Sequence, residues 1–503
     1  MHLPLINRAQ EHGEKIAILV PNVEAFTYRD LLYVSSQIAT NLLQDTEDLE
    51  EQRVALMIPP GFDYVATQWG IWRAGGIAVP LCVSHPRPEL EYAIVNSGAS
   101  IIVAHPDFEE ILRPILLALR NSNAQAPNLR SILTSETLPN PVDRLPEVNL
   151  ARRALILYTS GTTGKPKGVV TTHQNIQAQV TSLIAAWEWT SRDRILHILP
   201  LHHVHGIINV LTCALWAGAE CRMVSKFDAE TVWQCIGDGD LTLFMAVPTI
   251  YVKLMSTWEN TNPERQKILS AGCAKMRLMV SGSAALPVRV LEKWQSISGH
   301  LLLERYGMTE IGMALSNPLH GQRLPGYVGV PLPGVEVRLV DEDGTLVPSG
   351  SPGEIQVKSH GVFLEYWQNP EATATAFQDG WFCTGDLAVV ENGNYRILGR
   401  MSVDIIKTGG YKVSALEIEE VLRSHPDIHE CAVVGVDDPE WGERVCAALV
   451  LHPHRQLTLA SLRSWAKEQL AVYKVPTQIL VVTELPRNVM GKVTKPAVVE
   501  LFR

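Results

Sequence analysis

The stretch Tyr158-Thr-Ser-Gly-Thr-Thr-Gly-Lys-Pro-Lys-Gly168 follows directly on an apolar run, Ala154–Tyr158, that has the pattern of a buried strand. Glycines let a backbone approach an anion closely and present its N–H groups. Thr and Ser hydroxyls add donors, and Lys165 and Lys167 add positive charge. A strand feeding such a loop fits a phosphate-binding α/β architecture. It is not a Walker A loop, which needs G-x-x-x-x-G-K-[ST]. Here Gly161 leads to Gly164-Lys165-Pro166, and the proline opposes a helix start at Lys165.

Upstream of the loop, Arg53–Ile58, Ile77–Pro80 and Ile101–Ala104 read as short strands and Tyr64–Ala74 as a helix. That alternation predicts an α/β fold with a largely parallel sheet. The segment Ser122–Val148, rich in Pro, Asn and Ser, reads as a surface connection. Downstream, from about residue 325, Gly and Pro punctuate short strands such as Val335–Val340 and Gly353–Lys358, which predicts a β-rich subdomain. A boundary falls near Gly399–Asp404. Beyond it, Ser414-Ala-Leu-Glu417 has the form of a capping box ahead of Ile418, Val421 and Leu422 at helical spacing. Strands Cys431–Val436 and Val445–Leu451, a helix Leu459–Leu470 and a strand Gln478–Val482 complete a small α+β domain.

With 503 residues the chain needs several domains or subdomains. Its 46% hydrophobic and 19% charged residues are ordinary for a soluble enzyme. A net charge of -10, with no long run of one sign, argues against nucleic acid or an anionic membrane as partner. It leaves room for small polyanions, which need only a local cluster of cations. The eight cysteines are scattered without a C-x-x-C pair, so reduced thiols are expected rather than disulfides or a zinc site. The first residues lack the features of a signal or transit peptide, and the apolar stretch Val204–Ala219 stops at Glu220, short of a membrane span. A cytoplasmic location is the expectation.

Further motifs follow in order: Tyr306-Gly-Met-Thr-Glu310, Thr384-Gly-Asp386, Gly399-Arg400, Gly410-Tyr411-Lys412-Val413 and Pro486-Arg-Asn-Val-Met-Gly-Lys492. Together with the loop they make the chain, over nearly its whole length, resemble the adenylate-forming superfamily of acyl-CoA synthetases, luciferases and peptide-synthetase adenylation domains. The resemblance implies that a carboxylate attacks the α-phosphorus of ATP and expels pyrophosphate, and that coenzyme A then takes the acyl group. Anion meets anion in the first step, so catalysis is mainly charge neutralisation and positioning.

Residue by residue, the resemblance assigns the phosphates to Thr159, Ser160, Gly161, Thr162, Thr163, Gly164, Lys165 and Lys167. It makes Glu310 the ligand of Mg²⁺, a hard cation that prefers oxygen, and Thr309 a phosphate contact. Asp386 accepts from the ribose hydroxyls with Arg400 beside it. Ser283 and Ala284 line the adenine side with Tyr306 and Gly307. Lys492 stabilises the adenylation transition state. In the family the small domain delivers this lysine and then rotates to present Lys407, Gly409, Gly410 and Tyr411 to coenzyme A. The resemblance therefore divides the chain into an AMP-binding domain, residues 1–399, a hinge, 400–404, and a mobile C-terminal domain, 405–503. The segment around Lys492 also resembles one that is acetylated in related synthetases, a change that removes its charge.

Two features bear on the acid. Arg305 stands where many relatives have a small or neutral residue, and Pro200-Leu-His-His-Val-His-Gly206 places His203 and His205 at a spacing of two, on one side of an extended stretch. A pocket for an alkyl or aromatic acid has no use for a guanidinium, whereas a dicarboxylate needs a cation for its second carboxylate. An ion pair with Glu304 is the structural alternative for Arg305. These residues, with Met313 on the α-carbon side, resemble the malonyl-/methylmalonyl-CoA synthetases, including the animal mitochondrial type. A ligase for a monocarboxylic acid, a carrier-loading adenylation domain and a non-catalytic nucleotide-binding regulator remain as alternatives. A monomer or loose homo-oligomer without nucleic-acid or membrane partners is expected.

Overall fold

The computed structural model describes residues 3–21, 24–121, 127–131, 138–142, 144–159, 165–408, 411–488 and 491–503. Two large, mainly parallel sheets form the first part of the chain. One has seven strands in the order Glu365–Tyr366, Lys167–Thr172, Arg153–Thr159, Ile77–Pro80, Arg53–Met57, Ile101–Ala104 and Asn128–Ser131. The other has nine, with Leu303–Met308, Leu278–Ser281, Leu243–Ala246 and Arg194–His197 running parallel through its middle. Strands such as Ile77–Pro80 and Leu243–Ala246 are buried at every position, because helices cover both faces of a parallel sheet.

The β-rich part is a five-stranded antiparallel sheet built on Val335–Val340, Gly353–Ser359 and Trp381–Glu391. Burial alternates along Trp381–Glu391, as expected where one face packs and the other is wet. The last five-stranded sheet comprises Ile405–Thr408, Tyr411–Ser414, Ile428–Asp438, Gly442–Leu451 and Gln478–Val481, with its own apolar clusters.

Several expectations need adjustment. The helix predicted over Leu459–Leu470 ends at Ala466, and the surface connection contains the strand Asn128–Ser131. The capping box at Ser414 is half formed. Its hydroxyl accepts from Glu417 N, while the Glu417 carboxylate pairs with Lys474 instead of returning to the cap.

Between the β-rich part and the last sheet, residues 400–404 form a tight turn. Asp404 N donates to Arg400 O at 2.8 Å and Arg400 N to Asp404 Oδ2 at 3.0 Å. Lys495 then bridges Asp404 and Glu419 at 2.7 and 2.8 Å, tying the final helix to the turn.

Candidate active site

The strand Leu303–Met308 is the spine of the site. Neighbouring side chains on a strand diverge, so Glu304 and Arg305 do not meet. Glu304 Oε1 accepts from Leu286 N at 3.2 Å, and burial pushes its carboxyl up to about 8. Arg305, only 3% exposed, has one long hydrogen bond, to Ser283 Oγ at 3.4 Å, while its Nε and Nη1 have no partner. Burial lowers its pKa to about 9, which leaves it charged at neutral pH. A buried, charged and almost unpartnered guanidinium is costly unless an anion reaches it. The backbone makes room for it: a Cβ on Gly282 would lie 2.5 Å from Arg305 Cζ.

Ser283 holds φ +67 and lies 3.2 Å from His205 Nδ1, so it joins Arg305 to the histidine segment. His203 and His205 are not on an extended stretch, contrary to the expectation from their spacing. The chain turns at Val204 into a buried wide helical turn, His205–Thr212, in which Thr212 Oγ1 donates to Ile207 O, five residues back, at 2.6 Å. Gly206 permits it, because a Cβ there would meet Pro200 O at 2.3 Å. Such wide turns concentrate at functional sites. Both histidines still neighbour the same cation, Lys492, whose charge helps burial hold them neutral. His203 falls to about 4 and His205 lies well below its usual value. The Lys492 amine is itself lowered, first by crowding protein atoms and then by Arg305 and Arg400. Lys492 thus sits at the junction of the acyl and nucleotide halves, accessible to solvent within the cleft.

On the nucleotide side, Tyr306 OH donates to Asp386 Oδ2 at 2.6 Å and Arg400 Nε to Oδ1 at 2.8 Å. Arg400 Nη2 adds a longer bond to Oδ2 at 3.3 Å, and with about four lone-pair sites on a carboxylate about one acceptor position remains for a hydroxyl. Glu310 is 6% exposed and accepts from Tyr366 OH at 2.9 Å. No cation of the described residues lies in ion-pair range of it, and burial raises its pKa. A buried carboxylate with no directly paired cation among the described residues, and only the more distant charges of Arg400 and Lys167, fits a divalent cation. The Lys167 ammonium lies 4.8 Å from the Tyr366 ring centre, and Lys165 lies over Tyr92 at 5.9 Å. Thr159 Oγ1 faces Lys167 O.

Thr309 is half-buried in the turn before Glu310, and Ala284 is exposed beside Ser283. Gly307 is opposite Met313 in the strand pair, where a Cβ would lie 2.6 Å from the Met313 methyl and 2.1 Å from Gly312 O. Ser160, Gly161, Thr162, Thr163 and Gly164 lie outside the described residues, as do Gly409 and Gly410. Lys407 and Tyr411 stand on the strand pair Ile405–Thr408 and Tyr411–Ser414, with Tyr411 stacked on Tyr473 at 4.3 Å. Tyr366 is the residue sequence reasoning missed. It stands in no motif, and only the pairing of Glu365–Tyr366 with Lys167–Thr172 brings it to Glu310.

Residues 5–367 match the family described as AMP-binding enzyme, and residues 417–492 match the AMP-binding enzyme C-terminal domain. The chain is 47% identical to the mitochondrial malonate–CoA ligase ACSF3 of Bos taurus, over 98% of this chain and 89% of that protein. It is 42% identical to a malonate–CoA ligase of Arabidopsis thaliana, over 89% and 77%. Among solved structures, ATP-bound MatB from Rhodopseudomonas palustris superposes with a TM-score of 0.89 at 32% identity, covering 100% of this chain and 99% of that one.

Proposed function

The chain belongs to the AMP-binding enzyme family, and on that premise we propose that it is an AMP-forming acid–thiol ligase whose acid is malonate. One malonate carboxylate attacks the α-phosphorus of ATP, the bond to the β-phosphate oxygen breaks, and pyrophosphate leaves. The thiol of coenzyme A then adds to the acyl carbonyl of malonyl-adenylate, and AMP departs with the electrons of the acyl–phosphate bond. The observation that carries the choice of acid is the guanidinium of Arg305, whose Nε and Nη1 have no partner. It offers a fork to the carboxylate that does not react, worth about 1.5–3 kcal/mol for a charge-assisted contact. The relatives named as malonate–CoA ligases support the same choice.

Within this reading Lys492 neutralises charge at the α-phosphate, Asp386 holds the ribose with Arg400 and Tyr306 fixing its carboxylate, and Lys165 and Lys167 attract the outer phosphates. Mg²⁺ supplies charge neutralisation on the phosphates when bound, and Glu310 is the residue that holds it. Residues 1–399 form the adenylating domain. Rotation about 400–404 carries 405–503 to a second position in which Lys407 and Tyr411, with Gly409 and Gly410, meet coenzyme A. Met313 limits the α-carbon substituent and so decides between malonate and methylmalonate. The protein acts as a monomer or loose homo-oligomer. No helix among the described residues is long and apolar enough to cross a membrane. A cytoplasmic location is proposed, and recovery with mitochondria on fractionation, where the animal relatives are named, would displace it.

The test is purified protein with ATP, Mg²⁺ and coenzyme A, following AMP release across malonate, methylmalonate, succinate, acetate, butyrate and benzoate. Malonate should give the highest kcat/KM. A preference for any monocarboxylate would overturn the assignment of the acid while leaving the family intact.

A further inference from the structure

The strand Ile77–Pro80 leads through Cys82-Val-Ser-His85 into the helix Arg87–Ser97, and at that corner a thiol and two imidazoles converge. The ligand-capable atoms of Cys82, His85 and His202 all lie within 4.8 Å of one another. Cys82 is buried and 3.2 Å from Ser84 Oγ. The His85 and His202 rings are 5.7 Å apart. His202 Nε2 is buried without a hydrogen-bond partner. His85 Nδ1 lies 3.2 Å from the Glu89 carboxylate, which leaves Nε2 as the nitrogen free for a ligand.

We propose that Cys82, His85 and His202 form a binding site for a zinc-class divalent cation, with Glu89 orienting His85. One thiolate and two imidazoles are the donor set that zinc favours, and three protein ligands leave a fourth position open. Zinc bond lengths of about 2.0–2.3 Å at tetrahedral angles put ligand atoms about 3.5 Å apart, so the cluster must tighten by about 1 Å. A carboxylate on the far nitrogen of a ligand histidine is the usual means of fixing its tautomer and ring plane. Binding as a thiolate releases the Cys82 thiol proton to solvent, and nothing is oxidised or reduced. The site adjoins the acyl pocket: the His202 and His203 ring centres are 4.2 Å apart with their planes tilted by 50°, so an occupied cluster would fix the segment that carries His203. No single stretch of sequence reveals the set, since His202 comes from a different sheet's connection than the other two ligands.

Cobalt reports the site directly. Titration of metal-stripped, full-length protein with Co²⁺ in the absence of ATP should give one equivalent with a thiolate-to-cobalt charge-transfer band in the near ultraviolet, displaced by Zn²⁺. Cys82→Ser should lose the band while keeping its circular dichroism and malonate-dependent AMP release. Glu89→Gln should keep the band but weaken binding about 10–100-fold. In unaltered protein, Zn²⁺ should protect Cys82 from alkylation ahead of the other thiols, which tests the site even if Cys82→Ser folds poorly. Absence of a thiolate band, an equal band in Cys82→Ser, or no selective protection of Cys82 would each overturn the proposal.

Discussion

At Arg305 the chain keeps a guanidinium charged, buried and nearly without partners, a state that costs stability until an anion arrives. Arg305→Met should therefore raise the melting temperature of the ligand-free protein and abolish the further rise that malonate produces. A fall in the ligand-free melting temperature would mean that Arg305 is already satisfied. In the proposed function, Lys492 acts in the first chemical step alone. Lys492→Ala should slow malonyl-adenylate formation about 10²–10³-fold, as loss of a transition-state charge contact does. Thioester formation from supplied malonyl-adenylate should proceed at the normal rate, and equal loss in both half-reactions would contradict the assignment. Arg305 and Lys492 were legible in the sequence because a charged residue in an apolar strand, or at a fixed place in a motif, stands out against its neighbours. Tyr366 and the Cys82–His85–His202 cluster were not, because their meaning arises only from strands that pair far along the chain.

At the scale of elements, short buried strands were legible as uninterrupted apolar runs, and their ends moved by at most three residues. The histidine segment was misread because a spacing of two fits an extended chain equally well, and nothing in the local sequence announces a wide helical turn. The backbone clearance at Gly206 is a tertiary fact, set by Pro200 O. Gly307 makes a parallel case. Its place in Tyr306-Gly-Met-Thr-Glu310 suggested a nucleotide contact, yet its missing side chain is what lets the strand pair close on Gly312 and Met313. Gly307→Ala should destabilise the protein by about 1–3 kcal/mol, the range for forced overpacking, seen as a lower denaturant midpoint at unchanged slope. An unchanged midpoint would show that the pair can open at no cost.

Across the whole molecule, buried titratable groups set how stability responds to acid. His173, His197, His202, His203 and His205 are all held neutral, chiefly by burial, with pKa values below the 6.5 of a free imidazole. Unfolding lets each take up a proton as pH falls below 6.5, so the unfolded state binds more protons and stability drops. Asp63, Glu304, Glu310 and Glu354, raised chiefly by burial, and His85, raised chiefly by Cys82, act in the opposite sense, but the five imidazoles, joined by the lowered His12 and His300, still outnumber them. The denaturant midpoint should therefore decline steadily as pH falls from 6.5 toward the range where surface carboxylates titrate, and a flat or rising midpoint there would contradict it.

A boundary near Gly399–Asp404 was an expectation from the sequence, whereas the tie from Lys495 to Asp404 and Glu419 was not legible there, since a lysine near a chain end usually points to solvent. The most direct test of a pocket built for a second carboxylate compares malonate with propionate, equal in carbon number but lacking that group. The ratio of their kcat/KM values, read from AMP release, should favour malonate strongly in the unaltered protein and fall about 10–100-fold in Arg305→Gly as one charge-assisted contact is lost. A ratio unchanged in Arg305→Gly would contradict the claim that this guanidinium selects the acid.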